Sequence, residues 1–409
     1  MTDCETQVRS TQACGMFSSG ECLTPFEADS VRKSSSTSAH ANTRIVALDG
    51  LRGIACLMVV CSHFFCDTFG QTAALMDTPL IKAVFDGNLA VAVFFIISGD
   101  ALSSGFLRKR NAASILRPAI KRYPRLVVPT LLSTAFLFLL IRLHLVYEIP
   151  TQDILGSKWL FHWINEDITL VDVLRFSFLD VFLKNRAHYF NPFLWTMHYE
   201  AIGSIVIFLM LALLHLNRKA LPVLLALTLL VFHDGKSVVF LLCFLFGAFL
   251  AFLRTSGNMS RFERTAASSV LFLSALPVLF VLSLVFPHAY FHTGLSLIKA
   301  PLFTLAFLGN AQGRRFLETR GIQFLGEISF PLFLFQYSVL ISVTSFLIVT
   351  YYPLHHTVEM ACFIATSGVL LSMILATVTS PMENLTKSIC NIVYENAMRL
   401  LKDGAAIRE

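Results

Sequence analysis

Long apolar segments constrain this chain more than any other feature of its sequence. Ten of them approach the roughly 20 residues that a helix needs to cross a bilayer. They span residues 45–66, 88–107, 126–146, 197–216, 219–233, 236–254, 267–286, 294–310, 322–350 and 358–379. The fifth and eighth are short, so any number of spans from nine to eleven fits. The sequence predicts an all-α polytopic membrane protein with about ten transmembrane helices.

Composition supports a bilayer rather than water as the main solvent. Hydrophobic residues make up 55% of the 409 residues, and only 14% are charged against about 25% in soluble domains. The net charge of +6 comes from Lys and Arg that flank apolar segments, so we expect no nucleic-acid partner. The nine cysteines lack paired spacing, and we expect neither a metal site nor a disulfide framework.

The distribution of Lys and Arg predicts the orientation of the chain. With the N-terminus placed inside, the inside loops hold fifteen of these residues and the outside loops hold six. Basic residues concentrate on the cytosolic side of membrane proteins. Both termini are therefore expected in the cytosol, in an integral, multi-pass protein of the plasma membrane or an internal membrane.

The predicted organisation has three parts. Residues 1–43 are polar, lack a secretory signal and are expected to form a disordered cytosolic tail. Residues 44–385 form the transmembrane domain, in which 147–196 is one large non-cytosolic segment with an amphipathic stretch at 171–183, expected to lie on the membrane surface and cover a site. Residues 386–409 are expected to be a cytosolic tail.

Ionisable groups within the first apolar segment need a reason to be there, because burying charge in a bilayer is unfavourable. The sequence LDGLRGIA at 48–55 holds Asp49 and Arg52, which are three residues apart and can pair on a helix. His63 follows Arg52 by eleven residues, about three turns or 16 Å along the axis. A buried His is more often a packing residue, and the Arg and Asp on the same helix make a functional group an equally good interpretation.

Three further features accompany this helix. The second segment carries Ser98 among small residues, which allow close helix approach and a hydrogen bond across an interface. The following stretch, 117–125, is dense in cations and suits either anionic headgroups or a phosphate-bearing donor. Glu200 begins the fourth segment on the side of His63, where a carboxylate can orient an imidazole.

From about residue 44 to 385 the chain resembles the membrane acyltransferase-3 family, polytopic O-acyltransferases that modify sugars and other hydroxyl compounds. The resemblance rests on LDGLRGIA at 48–55 with His63, on FFIISG at 94–99, on residues 117–129, on Trp195 with Glu200, and on FLGEISF at 324–330. The most specific part is the spacing of Arg52, which lies within LRGIA, and His63, with ten residues between them. The chain departs from the family pattern at Asp100, His198, Tyr199 and Gln336, and it has no C-terminal hydrolase-like domain.

The resemblance implies transfer of an acyl group, often acetyl, from cytosolic acyl-CoA to an acceptor hydroxyl, without a tightly bound cofactor. The hypothesis from the sequence makes His63 the general base, with Glu200 fixing its tautomer. Arg52 would bind the donor or stabilise the oxyanion. The other residues assigned to donor binding are Ser98, Arg117, Arg122 and Arg125. The acceptor would arrive from the non-cytosolic side.

Two alternatives belong to other classes of protein. A transporter would use the buried Asp49, Arg52, His63 and Glu200 as a substrate or proton pathway, although no matching interrupted helices indicate inverted repeats. An inactive scaffold would keep only the fold. Release of CoA from acyl-CoA separates both of these from an acyltransferase.

The predicted orientation is testable through two glycosylation sequons, at Asn258 and Asn384, which both fall on the cytosolic side. We expect neither to carry a glycan when the protein is expressed in a eukaryotic cell, so endoglycosidase should not change its electrophoretic mobility. As a positive control, Asp167→Thr completes a sequon at Asn165, on the opposite side. A glycan on the unmodified chain would contradict the orientation.

Overall fold

Apolar segments of this length become helices because hydrocarbon offers no partners to a backbone N–H or C=O group, and a helix pairs them within its own segment. The computed structural model describes residues 46–156, 167–183, 190–217, 235–286 and 293–406, together with Lys219, Leu221, Pro222 and Leu224. Over these residues the regular structure is helical and contains no strand. The predicted all-α fold is confirmed.

The α-helices of the described residues are α1 Val46–Asp67, α2 Pro79–Val84, α3 Gly87–Lys109, α4 Ala113–Arg142, α5 Glu148–Leu155, α6 Leu170–Arg175, α7 Val181–Leu183, α8 Trp195–Leu216, α9 Gly235–Thr255, α10 Asn258–Glu263, α11 Ala266–Val285, α12 Ser296–Leu308, α13 Ala311–Leu317, α14 Arg320–Val339, α15 Ser345–Tyr351, α16 Val358–Thr379 and α17 Met382–Ala406. Three π-helical turns lie within longer stretches, at Ser62–Asp67, Phe176–Asp180 and Leu340–Thr344. The short 3-10 helices are Ala74–Asp77, Pro192–Leu194, Thr293–Leu295 and Tyr352–Leu354.

Eight helical stretches within the described residues are long and apolar enough to cross a membrane. They are Val46–Asp67, Pro79–Lys109, Ala113–Arg142, Pro192–Leu216, Gly235–Thr255, Ala266–Val285, Arg320–Leu354 and Val358–Thr379. Of the ten predicted runs, 219–233 lies almost wholly outside the described residues. The run 294–310 corresponds to the 13-residue helix α12, which is too short to qualify.

Two segments outside the predicted spans are helical: the stretch 117–125 between two of the apolar segments, and most of the predicted tail 386–409. The basic stretch 117–125 lies within the 30-residue helix α4, which also contains Pro118, Pro124 and Pro129. Prolines and clustered cations are loop signals, but packing of α4 against α8 and α17 overrides them. The predicted tail 386–409 belongs mainly to α17, which also packs against α4, so the predicted boundary at 385 falls inside a helix.

The segment predicted to lie outside the cytosol includes helices α6 and α7, which follow α4. The stretch from α6 to α7 runs antiparallel along α4: Arg142 donates to the Ile168 carbonyl, and Thr134, two turns earlier in α4, hydrogen-bonds Ser177 at 2.6 Å. The amphipathic stretch 171–183 is helical throughout, as expected. Its buried side faces α4. The predicted tail 1–43 and the residues His162, Trp163 and His188 lie outside the described residues.

α3 is the central helix, and it meets α9 at a close crossing. Gly99 of α3 lies against the Phe244 backbone, and Gly247 of α9 lies against the backbone oxygen of Ile96. Small residues at a crossing let two helix backbones approach, which increases packing contacts in a bilayer where no hydrophobic effect drives helices together. The FFIISG motif therefore ends in Gly for a structural reason.

The crossing generates a stability prediction. A methyl group added by Gly247→Ala would overlap the Ile96 carbonyl and force the helices apart, and we expect a loss of about 1–3 kcal/mol, the usual range for overpacking. Gly235→Ala, in the same helix with no atom within 4 Å of the new methyl, should be neutral or slightly stabilising. The measurement is the melting temperature of the detergent-solubilised protein. Equal melting temperatures for the two variants would contradict the role of the crossing.

Candidate active site

The first group of polar residues forms where α1 crosses α14. Gly53 and Gly326 face each other at this crossing and allow the backbones to touch. Arg52 donates from Nε to the Ser329 hydroxyl at 3.0 Å and from Nη2 to the Gly326 carbonyl at 3.2 Å. Its Nη2 also pairs with Asp49 at 2.9 Å, which confirms the predicted pair. The two motifs from opposite ends of the chain, LDGLRGIA and FLGEISF, thus build one cluster.

A second group joins α3, α4 and α8. Ser98 donates a hydrogen bond to Glu200 Oε1 at 2.6 Å, which confirms the predicted bond across an interface. Arg122 pairs with the other oxygen of Glu200, and its Nε donates to the Ser204 hydroxyl at 2.7 Å. The expectation that Glu200 orients His63 is therefore corrected, because both carboxylate oxygens of Glu200 are already held by Ser98 and Arg122.

His63 lies in the π-helical turn that ends α1. Its Nδ1 is 2.9 Å from Asp67 Oδ2, four residues further along the same turn. The imidazole stacks on the ring of Phe193, with ring centroids 3.9 Å apart and an interplanar angle of 11°. Asp67 is thus the carboxylate that orients the imidazole. Sequence reasoning missed it, although the spacing of four residues was a usable signal.

A cavity of about 650 Å³ opens between α1, α3, α4, α8, α14 and α17, and we call it the basic cavity. Its volume lies within the range of small-molecule sites. The lining residues are Asp49, Arg52, Val91, Phe94, Phe95, Ser98, Lys121, Arg122, Arg125, Leu126, Pro129, Thr196, Met197, Glu200, Ser329, Phe330, Phe333, Glu383, Thr386, Lys387, Cys390 and Asn391. Five are cations and three are acids, so the basic cavity favours an anionic ligand.

The basic cavity extends along the helices rather than sitting at one level. In α3 its lining runs from Ser98, at mid-helix, back to Val91, one turn after the helix begins. In α8 it reaches Thr196, at the second residue of the helix. Helix α17 and the basic part of α4 form the opposite end. That end faces the predicted cytosol, since the predicted topology places the basic stretch of α4 and the C-terminal region on the cytosolic side.

We call the end of the basic cavity at Val91 and Thr196, away from the predicted cytosol, its inner end. His63 is close to this end without lining the cavity. Phe193, which stacks on His63, precedes the lining residues Thr196 and Met197 by three and four residues, about one helical turn. The Thr196 hydroxyl is buried and has no hydrogen-bond partner among the described residues. The inner end therefore carries a buried hydroxyl about one helical turn from the residue that stacks on His63.

Most of the residues predicted to bind the donor line the basic cavity. Arg52, Ser98, Arg122 and Arg125 are on its wall. Arg117 is not; its guanidinium lies 5.6 Å from the centroid of the Tyr394 ring on α17.

The sequence analysis missed Lys121 and the lining residues of α17. No sequence signal places α17 here, because its contacts with α4 join residues about 270 positions apart. One of those residues is Cys390, where burial raises the pKa of the thiol, so the group stays protonated at neutral pH.

The departures from the family pattern have local structural accounts. Asp100 pairs with Arg254 of α9, and the same guanidinium donates to the Ser104 hydroxyl. His198 Nδ1 is 2.6 Å from the Phe182 carbonyl, which ties α8 to α7. Gln336 is fully buried and donates to the Phe333 carbonyl at 3.2 Å. None of these residues lines the basic cavity.

Comparison with known proteins agrees with this arrangement. Residues 45–380 match the family described as the acyltransferase domain, type 3. The chain belongs to the acyltransferase-3 family. This family of acyltransferases, together with the eight apolar helices, makes the chain a multi-pass membrane protein. The matched region holds Arg52, His63 and Glu200, whereas α17 begins just after it ends.

A curated relative is also similar to this chain. The O-acetyltransferase PaAT-1 of Phomopsis amygdali is 35% identical over 112 residues, which are 24% of this chain and 22% of that protein. The similarity therefore spans about a fifth of the relative's length. No solved structure matches the chain.

The Arg122–Glu200 pair can be tested apart from catalysis. Glu200→Ala leaves the half-buried Arg122 without its carboxylate, and we expect a loss of about 1–3 kcal/mol, less than for a fully buried pair because both side chains line a cavity. The double variant Arg122→Met with Glu200→Ala removes both charges and should regain most of that loss. Melting temperatures of the purified variants measure the difference. A double variant less stable than Glu200→Ala alone would contradict the pairing.

Proposed function

We propose that the protein is a membrane O-acyltransferase that moves an acyl group, acetyl in the simplest case, from acyl-CoA to a hydroxyl group. The acceptor class is a sugar, a lipid or a secondary metabolite. The observation that carries the proposal is a cation-lined cavity whose inner end lies one helical turn from Phe193, the residue that stacks on His63 of the His63–Asp67 pair. Family membership and the similarity to an O-acetyltransferase support the same activity.

The donor side of the proposal rests on charge and shape. Phosphate groups form strong charge-assisted hydrogen bonds with Arg and Lys, and Lys121 and Arg125 lie on the cavity wall near its predicted cytosolic end. An acyl-CoA whose phosphates bind there would extend its pantetheine arm along Phe94 and Phe95 towards the inner end. This geometry brings the thioester towards His63 and keeps the nucleotide in the cytosol.

The chemical step follows from the way His63 is held. With Nδ1 bound to Asp67, Nε2 is the nitrogen that takes the proton of the acceptor hydroxyl. The oxygen attacks the thioester carbon, the carbon–sulfur bond breaks, and the CoA thiolate leaves with the proton from the imidazolium. Asp67 stabilises the imidazolium between these two proton transfers. The products are the acyl ester and free CoA.

In this scheme Arg52 contacts the donor or the oxyanion, and Glu200 takes a positioning role. Arg52 donates from Nε to Ser329 and from Nη2 to Gly326 and Asp49. Its Nη1 makes no hydrogen bond to the described residues. Those N–H groups face a cavity that the guanidinium lines, so they are available to the donor or to a developing oxyanion. Glu200 holds Arg122 and Ser98 in place on the opposite wall.

Turnover of His63 variants tests the proposal. His63→Ala should lower acceptor-dependent release of CoA from acetyl-CoA by 10²–10⁴-fold, the usual contribution of a general base, and leave CoA binding intact. Asp67→Asn should give an intermediate loss, because the imidazole keeps a partner but loses a charge that stabilises its protonated form. The measurement is free thiol released by detergent-purified protein with a panel of hydroxyl compounds.

A matched control uses another histidine. His215 is exposed at the far end of α8 and does not line the basic cavity, so His215→Ala should keep near-normal turnover. Near-normal turnover in His63→Ala would show that His63 is not the base. A folded, CoA-binding wild type that releases no thiol with any acceptor would favour transport instead.

A further inference from the structure

One face of the C-terminal helix α17 packs against the rest of the protein. Met382, Thr386 and Cys390 are buried and are spaced four residues apart, which places them on one face of the helix. The Cys390 thiol donates to the Lys121 carbonyl at 3.5 Å, and the Lys121 ammonium donates to the Asn391 side chain. These contacts attach α17 to the basic half of α4, beyond the end of the family match at residue 380.

An aromatic contact strengthens this attachment. The guanidinium of Arg117 lies 5.6 Å and the ammonium of Lys121 lies 5.2 Å from the centroid of the Tyr394 ring. Such cation–π contacts are worth about 0.5–1 kcal/mol each at exposed sites. Arg117 thus contributes to positioning α17 at the opening of the basic cavity, which explains why it does not line the cavity itself.

The attached helix supplies part of the cavity wall. Five residues of α17 line the basic cavity, namely Glu383, Thr386, Lys387, Cys390 and Asn391. Lys387 is the cation among them. Its ammonium is 3.5 Å from Glu383 in an exposed pair, and its side chain is 67% exposed. Exposed ion pairs contribute about 0–1 kcal/mol to stability. Lys387 can therefore leave Glu383 and bind a more strongly charged anion with little loss of stability.

We propose that α17 completes the donor site and that Lys387 binds a phosphate of the nucleotide part of acyl-CoA at the opening of the basic cavity. The inference rests on the proposed function, because it assigns the nucleotide end of the same donor. Lys387, Lys121 and Arg125 come from two helices that meet at this opening, and together they surround it with positive charge. The pantetheine arm and the thioester lie beyond their reach.

Steady-state kinetics with two donors tests this assignment. Lys387→Gln should raise the KM for acetyl-CoA about tenfold, about 1.4 kcal/mol of lost binding, and change kcat less than twofold. Acetyl-pantetheine lacks the nucleotide and its phosphates, so its KM should be the same for wild type and Lys387→Gln. The matched control Arg399→Gln removes an exposed cation of the same helix that does not line the cavity, and it should leave both KM values within twofold.

The outcomes separate this inference from the proposed function. An equal rise in KM for both donors would mean that Lys387 only supports the helix, and an unchanged KM for acetyl-CoA would mean that it does not bind phosphate; either result overturns the inference. Calorimetric titration of the full-length proteins with CoA gives a readout without turnover. Tenfold weaker CoA binding by Lys387→Gln, with an inactive wild type, would support the inference and overturn the proposed function.

Discussion

Pairing of charges inside an apolar helix bundle is the constraint on which the rest of this structure depends. Four of the ion pairs among the described residues illustrate it, and each of these ties at least two helices together through its hydrogen-bond partners. They are Asp49–Arg52 with Ser329, Glu200–Arg122 with Ser98, Asp100–Arg254 with Ser104, and Asp86–Lys299 with Ser283. An unpaired charge at these depths would be costly, so each pair also specifies which helices are neighbours.

These pairs differ in how far their side chains are exposed. The Asp100 and Arg254 side chains are 2% and 14% exposed, and the pair stabilises the crossing of α3 and α9. Asp49 and Arg52 are 44% and 31% exposed because they face the basic cavity. A guanidinium that is held by neighbours and still open to a cavity is preorganised to bind an anion.

The cations and the imidazole lie at opposite ends of the basic cavity. Cations on α4 and α17 surround the predicted cytosolic opening, and the imidazole lies beyond the inner end, next to Phe193. Apolar side chains such as Phe94 line the interval. A proposed donor with a charged head and a long, thin arm fits this order, since its phosphates stay near water while its thioester enters a dry region. In the proposed reaction, the His63–Asp67 pair would act there with little competition from solvent.

Helical periodicity and apolar length are local properties, and from them the sequence by itself determined the helical fold, most of the spans, the Asp49–Arg52 pair and the identity of His63 as a candidate base. The family motifs also identified Ser98, Arg122 and Glu200. The partners across helices were not determined in this way. Glu200 was assigned to His63, but it binds Arg122, because depth in the bilayer and rotation about the helix axis are set by packing.

The role of α17 shows the same limit more sharply. Its sequence is polar enough to be taken for a tail, and its contacts with Lys121 join residues 269 and 270 positions apart in the chain. Nothing local in the sequence encodes such a contact, since the energy that stabilises it comes from surfaces that meet only after the bundle has formed. The sequence thus determined candidate groups such as Arg52 and His63, whereas the tertiary structure decided which polar groups share one cavity, because that depends on contacts between distant helices.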